Sequence, residues 1–266
     1  MADQKSVVEF RGNSRDVLAY WLADRIDQMA FQTMAGVSYA KKPNGAIRIG
    51  SDLASLEFAA DVTAPSAFRR MNWNATTEVL SNNGATTAVG TVDYPTWNMF
   101  VALKAYAKDR YIRGVMTGGG EETFHAFLTP QAMAKLKKDA NYNLNLRHAQ
   151  ERGDKNELFT GSSVKIDGIM LHEFRHVPNC AGGISGTDQY GSGFNLPGSQ
   201  VLFCGAQALG MADIGSPDWN EKGFDYDNSQ GISIGKILGF LKPKFGNIYE
   251  NGSVEDFGVI STYVAQ

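Results

Sequence analysis

The sequence has little of what marks secreted, membrane-spanning and polyanion-binding proteins. Its two cysteines, Cys180 and Cys204, allow at most one disulfide in 266 residues, so we expect a reducing environment and two small buried thiols. The charges nearly balance, with 25 Lys and Arg against 28 Asp and Glu, and no run of like charge points to a nucleic-acid partner. The longest stretch without these charges, 189–212, is too rich in Gly, Ser and Asn to cross a bilayer. The first residues lack the apolar core of a signal peptide, so a soluble, unexported chain is predicted.

Glycine is the residue in excess. The chain has 29 glycines, about 11% of its residues against a typical ~7%. Such a composition favours strands, turns and loops over a helical bundle. The length suffices for one large domain or two smaller ones with a sizeable core.

Two amphipathic helices are predicted in the first half of the chain. The first spans 14–35, capped by Ser14 or Asp16 and ended by Gly36, and would be about 30 Å long. Its apolar stripe consists of Leu18, Leu22, Ile26, Met29 and Thr33. The second helix is predicted over 96–113 and is closed by Gly114.

Strands are predicted from β-prone runs bounded by turn residues. The run 124–128 leads into Thr129 and Pro130, an N-cap and a first helical residue, so a strand followed by a short helix is expected. The Asp167-Gly168 pair between two apolar runs predicts a hairpin. Runs near the end of the chain, 232–240 and 257–264, are typical of strands as well. These elements together predict an α+β fold with two helices flanking an irregular sheet.

The segment His172-Glu173-Phe174-Arg175-His176 matches the H-E-x-x-H pattern of zinc proteases. That pattern needs a helix, because residues i and i+4 then share a face and both imidazoles reach one Zn²⁺. Here the segment follows a hairpin turn and Pro178 comes soon after it. On a strand the two histidines would be about 13 Å apart. We therefore predict polar residues on an exposed strand edge and no zinc site.

No other motif of catalysis or cofactor binding is complete. The runs Gly118-Gly119-Gly120 and Gly182-Gly183 lack the G-x-G-x-x-G spacing, the segment 231–237 lacks the spacing of a P-loop, and no G-x-S-x-G occurs. We predict no catalytic, cofactor-binding or metal-ligating residue, no cofactor and no enzyme activity.

Six segments, in their order and spacing, resemble the major capsid protein family of schitovirus-type podophages and related tailed phages. They are 18–27 in the first helix, 127–130 with Thr129-Pro130, 152–161 with Arg152-Gly153, 166–173 with Asp167-Gly168, 202–209 with Cys204-Gly205, and 256–260 with Phe257-Gly258. Each segment alone is a weak signal. The ordered set covers nearly the whole chain and places the H-E-x-x-H residues on a hairpin.

The resemblance implies the α+β capsid fold of tailed phages and herpesviruses. It makes 14–35 the spine helix, 1–114 and 225–266 the peripheral domain, and 115–224 the axial domain around the capsomer centre. Family members carry a stretch before the spine helix that forms an N-terminal arm and an extended loop. Only about a dozen residues precede Ser14 here, so these two elements are expected to be missing from this chain.

The function implied is that of a major capsid protein of a tailed bacteriophage. Copies of the chain would form pentamers and hexamers of an icosahedral shell around double-stranded DNA, which they would touch without sequence specificity. Decoration, scaffolding and portal proteins are candidate partners, a membrane is not, and assembly would take place in the host bacterial cytoplasm before the protein resides in the virion. Two alternatives remain open: a zinc metallohydrolase using His172, Glu173 and His176, and a non-capsid virion protein such as a tail-tube component.

Overall fold

The computed structural model describes residues 10–49, 62–149, 164–182, 188–226, 229–247 and 252–266. The segment 152–161, one of the six that carry the family resemblance, and Gly183 lie outside these ranges.

The first helix, α1, spans Phe10–Ala35, so it begins before the predicted Ser14 and ends where predicted. Its end is fixed by Gly36 at φ 71°. There the N–H of Val37 donates to the carbonyl of Gln32 at 2.9 Å, as in a Schellman motif. Burial rises along the helix: Leu18 is half-buried, whereas Phe31 and Met34 lie in the core.

Three shorter helices follow: α2 (Trp97–Asp109), α3 (Pro130–Leu136) and α4 (Ala140–Ala149). Helix α2 stops before the predicted residue 113 because Tyr111 adopts a left-handed conformation at φ 58°. The predicted start of α3 is confirmed, since the Thr129 hydroxyl accepts a hydrogen bond from the N–H of Ala132. Within the described ranges, no helix has the length and apolar character needed to cross a membrane.

Eight strands form one mixed sheet: β1 (Arg70–Asn74), β2 (Val79–Asn82), β3 (Val115–Met116), β4 (Glu122–Leu128), β5 (Val164–Ile166), β6 (Ile169–Glu173), β7 (Gly198–Cys204) and β14 (Val259–Ala265). Their order is β2-β1-β14-β7-β4-β6-β5, and β3 pairs with the start of β4. The pairs β1–β14 and β4–β6 are parallel, and the others are antiparallel. The predicted Asp167-Gly168 hairpin is confirmed as the β5–β6 turn.

The sheet has a covered face on each side. Side chains of α2, α3 and α4 pack on one face, where Phe100 and Leu136 meet Phe124 and Phe203. The end of α1 covers part of the other face, where Phe31 contacts the cluster that includes Leu202 and Cys204. All seven residues of β7 and all seven of β14 are buried, as expected for strands covered on both faces.

Three two-stranded antiparallel ribbons lie between β7 and β14 along the chain. They pair β8 (Gly210–Asp213) with β11 (Leu238–Leu241), β9 (Asp218–Phe224) with β10 (Ser229–Gly235), and β12 (Lys244–Asn247) with β13 (Ser253–Asp256). All four residues of β8 and all but one residue of β9 are exposed. The predicted strands near the end of the chain are therefore present, some as ribbons outside the main sheet.

The predicted domain bounds at 114/115 and 224/225 lie between strands that belong to the same sheet or ribbon, and the division itself stays a prediction. The first bound separates β1 and β2 from β4, β6 and β7, and the second separates β14 from the same three strands, although all of them belong to one hydrogen-bonded sheet. The second bound also falls between β9 and β10, which pair with each other. The sheet packs against α2, α3 and α4 through one buried cluster and against the end of α1 through another.

Candidate functional site

The H-E-x-x-H segment begins on a strand and ends in a turn. His172 and Glu173 are the last residues of β6, and the N–H of Phe174 donates to the carbonyl of Leu128 at 2.9 Å. Arg175 and His176 lie in the turn that follows. The prediction that this segment is not a zincin helix is confirmed, and the helical face that would present both imidazoles to one ion does not form.

Each ionisable side chain at the three motif positions faces a different element. His172 pairs with His125 of β4, Glu173 with Lys137 after α3, and His176 with Asp24 of α1, at 2.9, 3.8 and 2.7 Å respectively. Among the residues the structure describes, no three His, Cys, Asp or Glu side chains are placed to hold a metal ion together. The geometry therefore gives the segment structural contacts and does not support hydrolysis.

One detail of the sequence prediction for this segment is wrong. An exposed strand edge was expected, but β6 lies between β4 and β5 in the sheet, and His176 is only 7% exposed. The order of strands could not be read from the sequence because β4 and β6 pair in parallel over a separation of more than forty residues.

The two cysteines and the run Gly118-Gly119-Gly120 take the roles predicted from the sequence. Cys180 and Cys204 are buried free thiols, and burial raises the pKa of Cys204 to about 12, which removes its reactivity as a thiolate. A Cβ placed on Gly118, Gly119 or Gly120 would have no atom within 4 Å. This glycine run is an open turn between β3 and β4 rather than a phosphate cradle.

The ribbons carry large apolar side chains on their surface. Met211, Leu241 and Val254 are half-exposed or more, Ile214 is 71% exposed and Tyr226 is fully exposed. Single exposed apolar residues are ordinary on a protein surface, whereas larger apolar patches mark interaction sites. The sequence indicated these exposed residues only through the strand-like alternation near its end. That alternation does not show which face of a strand stays exposed to solvent.

Helix α1 adds a second exposed apolar stripe. Val17, Tyr20 and Trp21 follow at i, i+3 and i+4, and they are 57%, 79% and 39% exposed. Such residues share one helix face. Arg25, one turn later, places its guanidinium 5.6 Å from the Trp21 ring. The first half of α1 thus offers apolar surface outside the stripe predicted from the sequence.

The outer edges of the ribbons add backbone hydrogen-bonding groups to this surface. Within the described part of the chain, each ribbon has only its two strands, so one edge of each strand has no ladder partner. Unpaired strand edges accept a further strand from another chain. Apolar side chains and open edges together suit the ribbons to contacts between subunits.

A buried ion pair joins the two ends of ribbon β12–β13 and anchors them to the segment in front of β1. Lys242 Nζ lies 3.0 Å from Asp256 Oδ2, and each side chain is 1% exposed. Lys242 Nζ also donates to the carbonyl of Thr63 at 3.2 Å. Burial lowers the pKa of Lys242, and the charge of Asp256 opposes that shift.

The segment in front of β1 completes this anchor. The Ser66 N–H donates to Asp256 Oδ2 at 3.1 Å, and the Ser66 hydroxyl donates to Glu255 Oε2 at 2.6 Å. Arg69 Nε donates to the carbonyl of Asp256 at 3.0 Å. Because Asp256 ends β13 just before β14 begins, these bonds fix where the ribbon leaves the sheet.

Comparison with known proteins shows the family of this chain. A family model described as phage capsid protein matches residues 1–266. A curated major capsid protein of Pseudomonas phage KPP25 is 58% identical over 265 residues, which is 100% of this chain and 70% of that protein.

Solved capsid structures share the fold. The capsid of Ralstonia phage GP4 superposes with a TM-score of 0.72 at 21% identity and covers 98% of this chain and 69% of the phage GP4 chain. The capsid asymmetric unit of cyanophage Pam1 gives a TM-score of 0.68 at 16% identity over 98% of this chain and 70% of its own. The chain belongs to the phage capsid protein family, as a major capsid protein of a bacteriophage with the α+β fold of tailed-phage capsid proteins.

Proposed function

We propose that copies of the chain form pentamers and hexamers, which close into an icosahedral shell around a double-stranded DNA genome. The observation that carries this proposal is the exposed apolar surface of the ribbons and of the first half of α1. Rings of identical subunits need two different surfaces that fit each other. We propose that the ribbons, with their open strand edges, and the α1 stripe are these two surfaces.

The attachment of the ribbons would allow the subunit to fit several slightly different positions in the shell. Ribbon β12–β13 is tied to the sheet through the buried contacts of Lys242 and Asp256, whereas the residues of β8 and β9 are mostly exposed. Exposed strands with few buried contacts rearrange at low cost. One sequence can therefore occupy both five-fold and six-fold positions.

We further propose a purely structural role, with no catalytic, cofactor-binding or metal-ligating residue. The H-E-x-x-H side chains have structural partners on three elements. The small net charge of −3 favours only weak, non-specific contact with packaged DNA. Scaffolding, decoration and portal proteins are the candidate partners, and host cytoplasm is the proposed place of assembly.

The division into a peripheral domain, 1–114 and 225–266, and an axial domain, 115–224, is also a proposal, and it rests on the family resemblance. Expression of residues 115–224 alone tests it. A cooperatively folded fragment would support these bounds, and an unfolded fragment would contradict them.

Electron microscopy of the purified chain, together with sedimentation, tests the assembly proposal. Closed shells or capsomer rings support it, whereas open tubes favour the non-capsid virion alternative and monomers under all conditions contradict both. Leu241→Glu and Val254→Glu should abolish large assemblies while the variants stay folded. Leu144→Glu, at a position 55% exposed on α4, is the matched control that should assemble normally.

A further inference from the structure

Three of the four histidines of the chain lie where α1 packs on the sheet. His125 lies on β4 and His172 on β6, and His176 follows in the turn after β6. On the strands, His125 and His172 alternate with the buried residues that face α2, so both point to the face that α1 covers. Histidine is the residue type whose charge depends on pH in the range between about 5 and 8.

His125 and His172 form a hydrogen-bonded, stacked pair. The distance between His125 Nδ1 and His172 Nε2 is 2.9 Å, and the rings are 5.2 Å apart at 16°. Such a bond needs one nitrogen with a proton and one with a free lone pair. The pair can hold one positive charge and keep the bond. A second proton puts N–H against N–H and places two positive charges side by side.

Aromatic rings connect this pair to α1. The His172 ring stacks on Phe127 at 5.0 Å, and Phe127 contacts Phe31 of α1 edge-on at 5.3 Å. On the other side, Phe31 stacks on Phe174 at 4.9 Å. Phe31 is thus held between a ring that touches the histidine pair and a ring of the turn after β6.

We propose that the His125–His172 pair makes the packing of α1 on the sheet sensitive to acid. The second proton on the pair turns the half-buried His172 ring away from His125 and Phe127. The stack that supports Phe31 then loses one of its members, so the second half of α1 loosens from the sheet.

The charges around the pair do not cancel this effect. The neighbouring carboxylate, Glu173, is shared with Lys137, and the residue opposite His125 on β7 is the neutral thiol of Cys204. Burial, and then the charge of His125, lower the pKa of His172. Both effects resist the second proton in the folded chain.

The contact at Asp24 does not depend on the histidine pair. His176 Nε2 and Arg175 Nη2 each lie 2.7 Å from Asp24 Oδ1, and, against the effect of burial, the pKa of Asp24 is lowered by the charge and hydrogen bonds of these two residues. In mild acid the carboxylate therefore keeps its charge, and α1 stays attached to the turn at Asp24 while it loosens at Phe31.

Histidine-selective ¹⁵N NMR of the whole chain between pH 8 and pH 5 tests the pair directly. We expect the midpoint of the His172 titration to lie below the ordinary value of about 6.5. Amides of α1 near Phe31 should shift with that titration. A His172 midpoint at or above the ordinary value, or α1 signals that do not follow it, would overturn the proposal.

Denaturant unfolding at pH 7.5 and pH 5.0 tests the consequence. His172→Phe keeps a ring on Phe127 and removes the titratable group. Between pH 7.5 and pH 5.0, its folding equilibrium constant should therefore fall less than that of the unmodified chain. The difference should be about tenfold for each unit by which folding lowers the pKa of His172. His148→Asn, at an exposed position of α4, is the control and should keep the full loss. Equal losses for His172→Phe and the unmodified chain would contradict the proposal, and His125→Phe repeats the comparison if His172→Phe does not fold.

Discussion

Lys242 and Asp256 form an ion pair of 3.0 Å in which both side chains are almost completely removed from solvent. Charges buried to this degree are tolerated only while both are present, because either one alone keeps its desolvation cost and loses its compensation. The ion pair thereby joins the two ends of ribbon β12–β13, which are fourteen residues apart in the chain.

Breaking this ion pair should destabilise the chain strongly. We expect Asp256→Asn to lower the free energy of unfolding by about 3 kcal/mol, because Lys242 is left buried without its counter-charge. The double variant Lys242→Met/Asp256→Leu should recover most of the loss, since it buries no charge. Urea unfolding followed by circular dichroism measures both, and a double variant as unstable as Asp256→Asn would show that the contacts to Thr63 and Ser66 matter more than the charges.

The end of α1 should tolerate no side chain at Gly36. Its φ of 71° disfavours other residues, and an added Cβ would lie 2.6 Å from the carbonyl oxygen of Thr63. We expect Gly36→Ala to cost more than about 2 kcal/mol, the sum of backbone strain and a backbone clash. Gly120→Ala isolates the strain, because Gly120 has φ 78° and no neighbour within 4 Å, and should cost about 1 kcal/mol. Thermal unfolding that ranks the two variants equally would remove the clash from the explanation.

The cap of α3 should contribute measurably to stability. The buried Thr129 hydroxyl accepts a hydrogen bond from the Ala132 N–H at 3.2 Å and donates to Gln266 Oε1 at 3.2 Å. Thr129→Ala should lower the free energy of unfolding by about 1–2 kcal/mol, and Thr129→Ser should restore most of it. Guanidinium unfolding provides the measurement. A serine variant no better than alanine would assign the loss to the missing methyl group.

The contact of Asp24 should give stability that acid removes. Burial alone would raise the pKa of Asp24, but the charge of His176 and the hydrogen bonds from Arg175 and His176 outweigh it and lower the pKa. Below about pH 4 the unfolded chain therefore binds more protons than the folded chain. The stabilisation that Asp24 contributes is complete above that pH and is lost in stronger acid. Asp24→Asn should therefore be less stable than the unmodified chain at pH 6 and similar to it at pH 2.5. Asp27→Asn, exposed on the same helix, serves as the comparison, and an equal change in both variants would contradict the role of this contact.

The sequence predicted those features that are set by residues close to each other along the chain. The Thr129-Pro130 helix start and the Asp167-Gly168 turn are set by side chains within a few positions, and both are confirmed. Family resemblance correctly gave the fold class and the capsid function, which no single motif carries. The pairing of His125 with His172, 47 residues apart, and that of Lys242 with Asp256 depend on strand order, so the sequence alone could not show them.

The placement of β14 has a consequence for folding. This strand follows all the others described, yet it lies inside the sheet, where β1 and β7 hydrogen-bond to its two edges. Until residues 259–265 have paired, β1 and β7 have no common partner and the two halves of the sheet cannot join. Contacts with other chains that depend on the finished sheet therefore form only after this strand is in place.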